Sequence, residues 1–168
     1  MIPLRKLERY AKMKEEENYE FRTWLKIHAD PGDLDERFSR LHNELFAEYD
    51  CTRCRNCCKK YKAGIPLEDV ESDAQFLGMD TTEFRNRFLQ KDLNGEGAYL
   101  TLHAPCDFLQ EDGNCLLGDH QPQSCKLYPY TDQPDRLGSM YSFLDTITIC
   151  PVAYEICERL KKEYRFRG

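Results

Sequence analysis

The sequence predicts a mainly helical protein with short strands, an α+β chain whose long loops carry cysteines. Three observations support this fold class. Apolar residues recur every three or four positions over much of the chain, short strand-like stretches separate these segments, and all nine cysteines fall between residues 51 and 157. With 168 residues the chain can build a hydrophobic core without disulfides. We expect residues 1–50 to form a helical N-terminal segment that packs on a single compact domain, residues 51–168.

Two helices are predicted in the N-terminal segment. The first spans roughly residues 4–27 and ends at Ala29-Asp30-Pro31-Gly32, because proline and glycine interrupt a helix. In the second, Asp33 and Glu36 have the spacing of a capping box. We interpret the two helices as a packing pair, and docking of a protein partner is the alternative. The apolar stripe of the second helix consists of Leu34, Phe38, Leu41 and Leu45.

Two shorter helices are predicted after the first cysteines. One spans Pro66–Leu77, and Gly78 follows it where a left-handed cap would fall. The next begins after Asp80. It carries three apolar residues: Phe84, Phe88 and Leu89.

The rest of the chain is expected to contain a turn, two strands and one longer helix. Asn94-Gly95-Glu96-Gly97 has the composition of a turn, whereas residues 99–102 and part of residues 140–149 predict strands. The final helix begins at Pro151, which suits a first helical position, and runs to about Tyr164. Its inner stripe consists of Val152, Ile156 and Leu160.

Composition limits the classes of protein to which the chain can belong. The net charge is −6 and the isoelectric point is near 5.3, so the basic surface of a general nucleic-acid binder is not expected. No apolar stretch is long enough for a membrane span, and the N-terminus does not read as a secretory signal. We therefore expect a cytoplasmic protein without nucleic-acid or membrane partners. In a reducing cytoplasm a cysteine cluster indicates metal or redox chemistry more than disulfides.

The strongest motif is Cys51-Thr52-Arg53-Cys54-Arg55-Asn56-Cys57-Cys58. Three thiols at this spacing resemble the bacterial ferredoxin run, in which a remote Cys-Pro pair supplies a further cluster ligand. Cys150-Pro151 is such a pair. A single zinc ion usually takes two separate pairs of ligands instead. Because adjacent side chains tend to diverge, we expect Cys57 and Cys58 to serve two centres or one polynuclear centre.

Four further cysteines complete the predicted ligand set, and each lies near a glycine or proline that keeps it on a loop. A plausible division places four ligands on each of two centres, and a single cooperative centre is the alternative. An iron–sulfur cluster of the 4Fe–4S type is favoured as the cofactor, with Zn²⁺ as the other candidate. One proposed centre takes Cys51, Cys54, Cys57 and Cys150, and the other takes Cys58, Cys106, Cys115 and Cys125.

A few other residues near the cysteines could be taken for ligands. Cys157 lies beside the inner stripe of the last helix and is expected to be a core residue, with a ninth ligand as the alternative. His103 and His120 could bind zinc or donate a hydrogen bond to a thiolate, but eight cysteines already suffice. His28 and His42 are expected to face solvent, and Tyr128 and Tyr130 to be core aromatic residues or to pack over the metal site.

These motifs resemble the CxxCxxCC family, the YkgJ-type cysteine-cluster proteins described as zinc- or iron-chelating domains. The resemblance covers roughly residue 19 onward. It implies a prokaryotic, cytosolic protein that binds a metal or an iron–sulfur cluster through eight cysteines. The residues that carry it are the first cysteine run, Cys106-Asp107-Phe108-Leu109, Asn114-Cys115, Pro122-x2-Cys125-x2-Tyr128-Pro129 and Cys150-Pro151.

Three functional hypotheses follow from the sequence. The first is a metal-binding protein that coordinates one or two iron–sulfur clusters in a redox or cluster-dependent structural role. The second is a zinc-binding module with a structural or regulatory role. The third, a metal-dependent, methylase-like enzyme that modifies proteins, depends only on the resemblance, since a larger family member methylates lysines on flagellin.

Overall fold

The computed structural model describes residues 1–93 and 99–167. Within these ranges the chain is mostly helical and contains a small three-stranded sheet, which confirms the predicted fold class. The predicted turn at residues 94–97 lies outside the described residues. Internal contacts divide the chain into two units, residues 1–50 with 129–168 and residues 51–128. The sequence-based division into residues 1–50 and 51–168 stays a prediction.

The elements of the described residues are named in chain order. The strands are β1 (Gly64–Ile65), β2 (Leu89–Lys91) and β3 (Tyr99–Thr101). A 3₁₀ turn covers Gly118–His120. The α-helices are α1 (Leu4–Met13), α2 (Glu15–His28), α3 (Pro31–Phe46), α4 (Cys51–Cys54), α5 (Asn56–Lys60), α6 (Asp69–Phe76), α7 (Thr81–Phe88), α8 (Gln123–Lys126), α9 (Met140–Thr146) and α10 (Pro151–Glu163). None of them is both long enough and apolar enough to cross a membrane.

The prediction of a single first helix over residues 4–27 is wrong, because Lys14 separates α1 from α2. Its backbone leaves the helical region, with φ −103° and ψ 11°. Three consecutive glutamates, Glu15–Glu17, then occupy the first turn of α2, where carboxylates interact favourably with the helix dipole. Buried residues of α1 and α2 keep a helical spacing across the break, so apolar periodicity alone could not reveal it.

Helix α3 begins earlier than predicted, and its cap is Asp30, not Asp33. The Asp30 Oδ1 atom accepts a hydrogen bond from the backbone N–H of Asp33 at 2.9 Å. Pro31 occupies the first turn and therefore starts the helix instead of only ending the previous one. The predicted stripe of α3 is confirmed, since its four apolar residues are all buried.

The strand predicted within residues 140–149 is wrong, because this segment forms α9. Met140, Phe143 and Leu144 are buried, and their spacing is that of one helix face. The last helix is confirmed: α10 begins at Pro151, and its predicted inner stripe is buried.

A buried lysine joins α2 to α10 in the first unit. Lys161 is only 5% exposed. Its Nζ donates to Glu17 Oε1 at 2.7 Å, to Asn18 Oδ1 at 2.5 Å and to Glu158 Oε1 at 3.0 Å. The ammonium is therefore both paired and hydrogen-bonded, which offsets the cost of removing it from water.

The second unit combines an antiparallel sheet with α6 and α7. The strand order is β1-β3-β2, and Leu100 of β3 pairs with Gly64 of β1 on one side and with Gln90 of β2 on the other. As predicted, Gly78 follows α6 with a left-handed φ of +67°, and Asp80 caps α7 by accepting from two backbone N–H groups. The core of this unit contains Ile65, Val70, Ala74, Phe84, Phe88, Leu89, Phe108 and Leu117.

Candidate metal centre

The first cysteine run folds into two consecutive helical turns, α4 and α5. Arg55 lies between them with a left-handed φ of +48°, and its N–H donates to Cys51 O at 3.1 Å. Cys51 is exposed, whereas the other three cysteines of the run are half-buried. The left-handed backbone of Arg55 changes the direction of the chain between the two turns. The two cysteines of α5 therefore do not continue the helical turn that carries the cysteines of α4.

Five of the predicted ligands line one pocket of the second unit. Two come from α5, two from the loop between residues 106 and 115, and one from α8. The other lining residues include Ala63, Phe108, Leu109, Pro122 and Tyr128, so the pocket is largely apolar. The five cysteines are Cys57, Cys58, Cys106, Cys115 and Cys125.

Backbone hydrogen bonds hold the cysteine-bearing loops in place. The N–H of Cys106 donates to Cys58 O at 2.8 Å, which ties the loop directly to α5. Leu109 and Cys115 form an isolated antiparallel bridge, and Leu116 N–H donates to Phe108 O at 2.7 Å. These contacts constrain the loop that carries Cys106 and Cys115, both of which line the pocket.

The cysteine of α8 is positioned through the sheet. The Ser124 hydroxyl donates to Gly64 O of β1 at 2.8 Å, and Cys125 is the next residue along the helix. Tyr61 and Tyr128 also line the pocket, and their ring centroids lie 5.0 Å apart. The sequence raised the possibility that Tyr128 covers the site, but Tyr61 was not anticipated.

The prediction that the side chains of Cys57 and Cys58 diverge is wrong. The Sγ atoms of Cys57 and Cys58 lie 4.0 Å apart, and both residues line the pocket. Two thiolates bound to one tetrahedral zinc at 2.3 Å would have sulfurs about 3.8 Å apart. The observed separation is close to this value, so both thiols can bind the same centre.

Burial and mutual proximity shift the pKa values of the pocket thiols. A hydrogen bond with Cys57, helped by the charges of Arg55 and Lys59, lowers the pKa of Cys58 to about 6. Burial raises the pKa of Cys106 to about 11 and that of Cys125 to about 12, and neighbouring thiolate charges add to both rises. A bound cation would reverse these rises, since metal-coordinating thiols are deprotonated.

The remaining predicted ligands lie elsewhere. Cys51 and Cys54 belong to α4 and are not among the described residues that line the pocket. Cys150 belongs to the first unit, where it is 8% exposed and immediately precedes α10. Within residues 1–93 and 99–167, no group of three or more His, Cys, Asp or Glu side chains is arranged to hold a metal ion as it stands. The set of eight ligands therefore stays a prediction.

The two candidate histidines have other neighbours. His103 Nδ1 lies 2.9 Å from Asp107 Oδ2 on the surface, and His120 stacks on Phe76 with centroids 4.4 Å apart. Neither belongs to the described lining of the cysteine pocket. His42 is half-buried, with Nδ1 2.8 Å from Thr131 Oγ1, so the prediction that it faces solvent is wrong.

Cys157 is buried in the first unit, as its place beside the apolar stripe predicts. Its side chain is 1% exposed, and Sγ lies 3.9 Å from Asn18 Oδ1. Burial raises the pKa of this thiol to about 12, so it stays protonated at neutral pH. Its environment is that of a core residue.

Comparison with known proteins assigns the cysteine-bearing part of the chain to a family. A family model described as "Putative zinc- or iron-chelating domain" matches residues 50–151, which is more than half of the chain and includes all eight predicted ligands. Comparisons with curated proteins and with solved structures found no match. The chain therefore belongs to the CxxCxxCC family of putative zinc- or iron-chelating domains.

Proposed function

We propose that the chain coordinates one or two iron–sulfur clusters of the 4Fe–4S type, in a redox or cluster-dependent structural role. The observation that carries this proposal is the convergence of five cysteines on one half-buried, largely apolar pocket. The same thiolate chemistry suits a reducing compartment, so we place the protein in the cytoplasm. The proposed ligands are Cys51, Cys54, Cys57, Cys58, Cys106, Cys115, Cys125 and Cys150.

The number of thiols favours a polynuclear centre. A single tetrahedral zinc takes four ligands, and the pocket offers five cysteines before those of α4 and Cys150 are considered. The adjacent Cys57 and Cys58 thiols, 4.0 Å apart, can reach one cluster or two neighbouring ones. Cysteine thiolates are the usual ligands of iron–sulfur clusters.

The surroundings of the thiols fit a cluster as well. Once bound, a cluster would supply one-electron redox chemistry, and its potential depends on solvent exposure and on hydrogen bonds to sulfur. Phe108, Leu109, Pro122 and the ring pair Tyr61–Tyr128 would exclude water from the pocket. These residues give the protein control over access to the centre.

Zinc is the second candidate, and a specific observation supports it. Cys58, Cys106, Cys115 and Cys125 line the same pocket and come from three separate segments of the second unit. Four such thiols are the ligand set of a structural zinc site. This set is also the second of the two centres proposed from the sequence.

Anaerobic purification of the full chain distinguishes the two metals. An iron–sulfur protein would be brown and would contain iron and acid-labile sulfide in comparable amounts, with Mössbauer or EPR spectra that give the cluster type. Colourless protein that carries only zinc would refute the iron–sulfur proposal. Protein that carries neither metal after purification and reconstitution would refute both.

Two serine variants test the division into two centres. Cys54→Ser and Cys115→Ser are each expected to lose half of the bound metal, because they belong to different proposed centres. Loss of all metal in either variant would indicate one cooperative centre. Cys157→Ser is the matched control, since this cysteine is buried in the core of the first unit and should not affect metal content.

A further inference from the structure

Arg55 has a backbone conformation that suits glycine better than arginine. Its φ of +48° and ψ of 22° are left-handed, and it joins α4 to α5 in the middle of the cysteine run. A residue with a Cβ atom pays a steric cost in this region, which glycine avoids. A non-glycine residue held in this conformation within a candidate site indicates that its side chain has a role there.

The side chain of Arg55 forms part of the wall of the cysteine pocket. It lines that pocket and also an adjoining groove formed with Arg53, Lys59 and residues 109–114. Its Nε donates to Thr52 O at 3.0 Å, which fixes the guanidinium against α4. Arg55 therefore lies between the candidate metal site and the exposed groove.

The opposite loop packs against this side chain. Gly113 has a φ of +85°, and a Cβ atom added there would lie 3.4 Å from Thr52 O and 3.8 Å from Arg55 Cγ. These are ordinary van der Waals distances, so the left-handed backbone, and not a lack of space, favours glycine at this position. The loop between Cys106 and Cys115 therefore lies in contact range of Arg55.

Arg55 shares the pocket lining with thiols from two different segments. Cys57 and Cys58 come from α5, and Cys106 and Cys115 come from the loop that faces Arg55 across Gly113. Four thiolates around one centre repel one another, and a nearby cation in a partly buried site offsets that repulsion.

We propose that Arg55 is a positioning residue of the metal centre, holding a positive charge beside the thiolates of α5 and of the 106–115 loop. This inference rests on the proposed function, since it requires that the cysteine pocket binds metal. Arg53 provides a matched control. It belongs to the same run and lines only the groove among the pockets described, so its charge is not held beside the thiols.

The test measures how fast the anaerobically purified, metal-loaded full chain releases metal to a chromophoric chelator. Arg55→Gln and Arg55→Gly are expected to release it about 10- to 100-fold faster than the wild type, the usual effect of removing a residue that supports metal ligands. Arg55→Lys, which keeps the charge, should release metal more slowly than either. Arg53→Gln should stay within about twofold of the wild type, since exposed charges contribute little.

The glycine variant keeps the test valid if the glutamine variant fails to fold. Glycine is the residue that the backbone at position 55 favours, so faster metal release from Arg55→Gly reports the loss of the side chain and not backbone strain. Release at the wild-type rate from Arg55→Gly would overturn the inference, as would equal loss in Arg55→Lys or in Arg53→Gln. A wild-type chain that retains no metal would overturn the proposed function together with it.

Discussion

Asp73 is a buried carboxyl group whose ionisation costs stability. It lies on α6, is 2% exposed, and its Oδ2 has no hydrogen-bond partner among the described residues. Burial and the charge of Asp69 raise its pKa from 3.8 to about 6, and His120 partly opposes the rise. Replacing it with asparagine, a residue of the same size without a charge, removes this ionisation.

The raised pKa sets both the sign and the size of the effect. The folded chain binds the Asp73 proton more tightly than the unfolded chain, so stability is highest at low pH and is lost as the pH rises from about 3.8 to about 6. A shift of roughly two units corresponds to about 3 kcal/mol at neutral pH. About 1.4 kcal/mol of this falls between pH 5 and pH 7.5.

Urea denaturation at a series of pH values measures this contribution. We expect the free-energy difference between Asp73→Asn and the wild type to move in favour of the variant by about 1.4 kcal/mol from pH 5 to pH 7.5. Comparing the difference at each pH cancels the pH dependence of metal binding that both chains share. Glu71→Gln serves as the control, because Glu71 is an exposed carboxylate on the same helix.

A difference between Asp73→Asn and the wild type that does not change with pH would refute the raised pKa of Asp73. That result would mean that the carboxyl ionises as easily in the folded chain as in the unfolded one. An equal trend in Glu71→Gln would also refute the role of burial. It would show that the general loss of negative charge determines the pH-dependent change in stability. A constant offset at all pH values is compatible with the argument, since a buried amide carries its own cost.

Three further substitutions test the two cores. Cys157→Ser should keep the metal content, and metal loss would contradict the core role of Cys157. The variant should lower the unfolding midpoint by about 2–4 °C, since a hydroxyl replaces a buried thiol. Phe108→Ala removes a ring packed on Phe84 and should cost about 3–5 kcal/mol in urea denaturation; a cost below about 1 kcal/mol would contradict the packing. Lys161→Met removes the donor to the buried Asn18 Oδ1 and one of the partners of Glu17, and should cost about 1–3 kcal/mol, whereas unchanged stability would mean that the buried ammonium is neutral overall.

Apolar periodicity predicted α3, α6, α7 and α10 because these segments bury one continuous face, but it did not reveal the short helices α4, α5 and α8. The stripes of α3 and α10 and the caps at Gly78 and Asp80 all follow from local sequence. The segment that forms α9 was mistaken for a strand, because it includes the strand-favouring Tyr141, Phe143 and Thr146 and is too short for its periodicity to distinguish a helix from a strand. Only its packing, with Met140, Phe143 and Leu144 on one side, decides in favour of a helix.

The candidate site was predictable in its ligand types and less so in its geometry. Cysteine spacing selected eight candidate ligands, and five of them line one pocket. The close approach of the Cys57 and Cys58 thiols was missed, because it depends on the side-chain conformations of both residues, which the sequence does not specify. Arg55 and Tyr61 were missed as well, because neither a positive φ at an arginine nor a ring contact between distant tyrosines leaves a signal in a single sequence.

The candidate metal site and the core of the second unit share several residues. Phe108 lies between the two loop cysteines in sequence, packs with Phe84 and Phe88, and lines the cysteine pocket. Cys106 and Cys115 pack against the same core cluster. The core therefore restricts where these thiols can lie before any metal binds, and a metal bound to them would in turn hold the 106–115 loop on the core. Since ligand binding to the folded state alone raises stability, metal affinity and folding stability in this unit should rise and fall together.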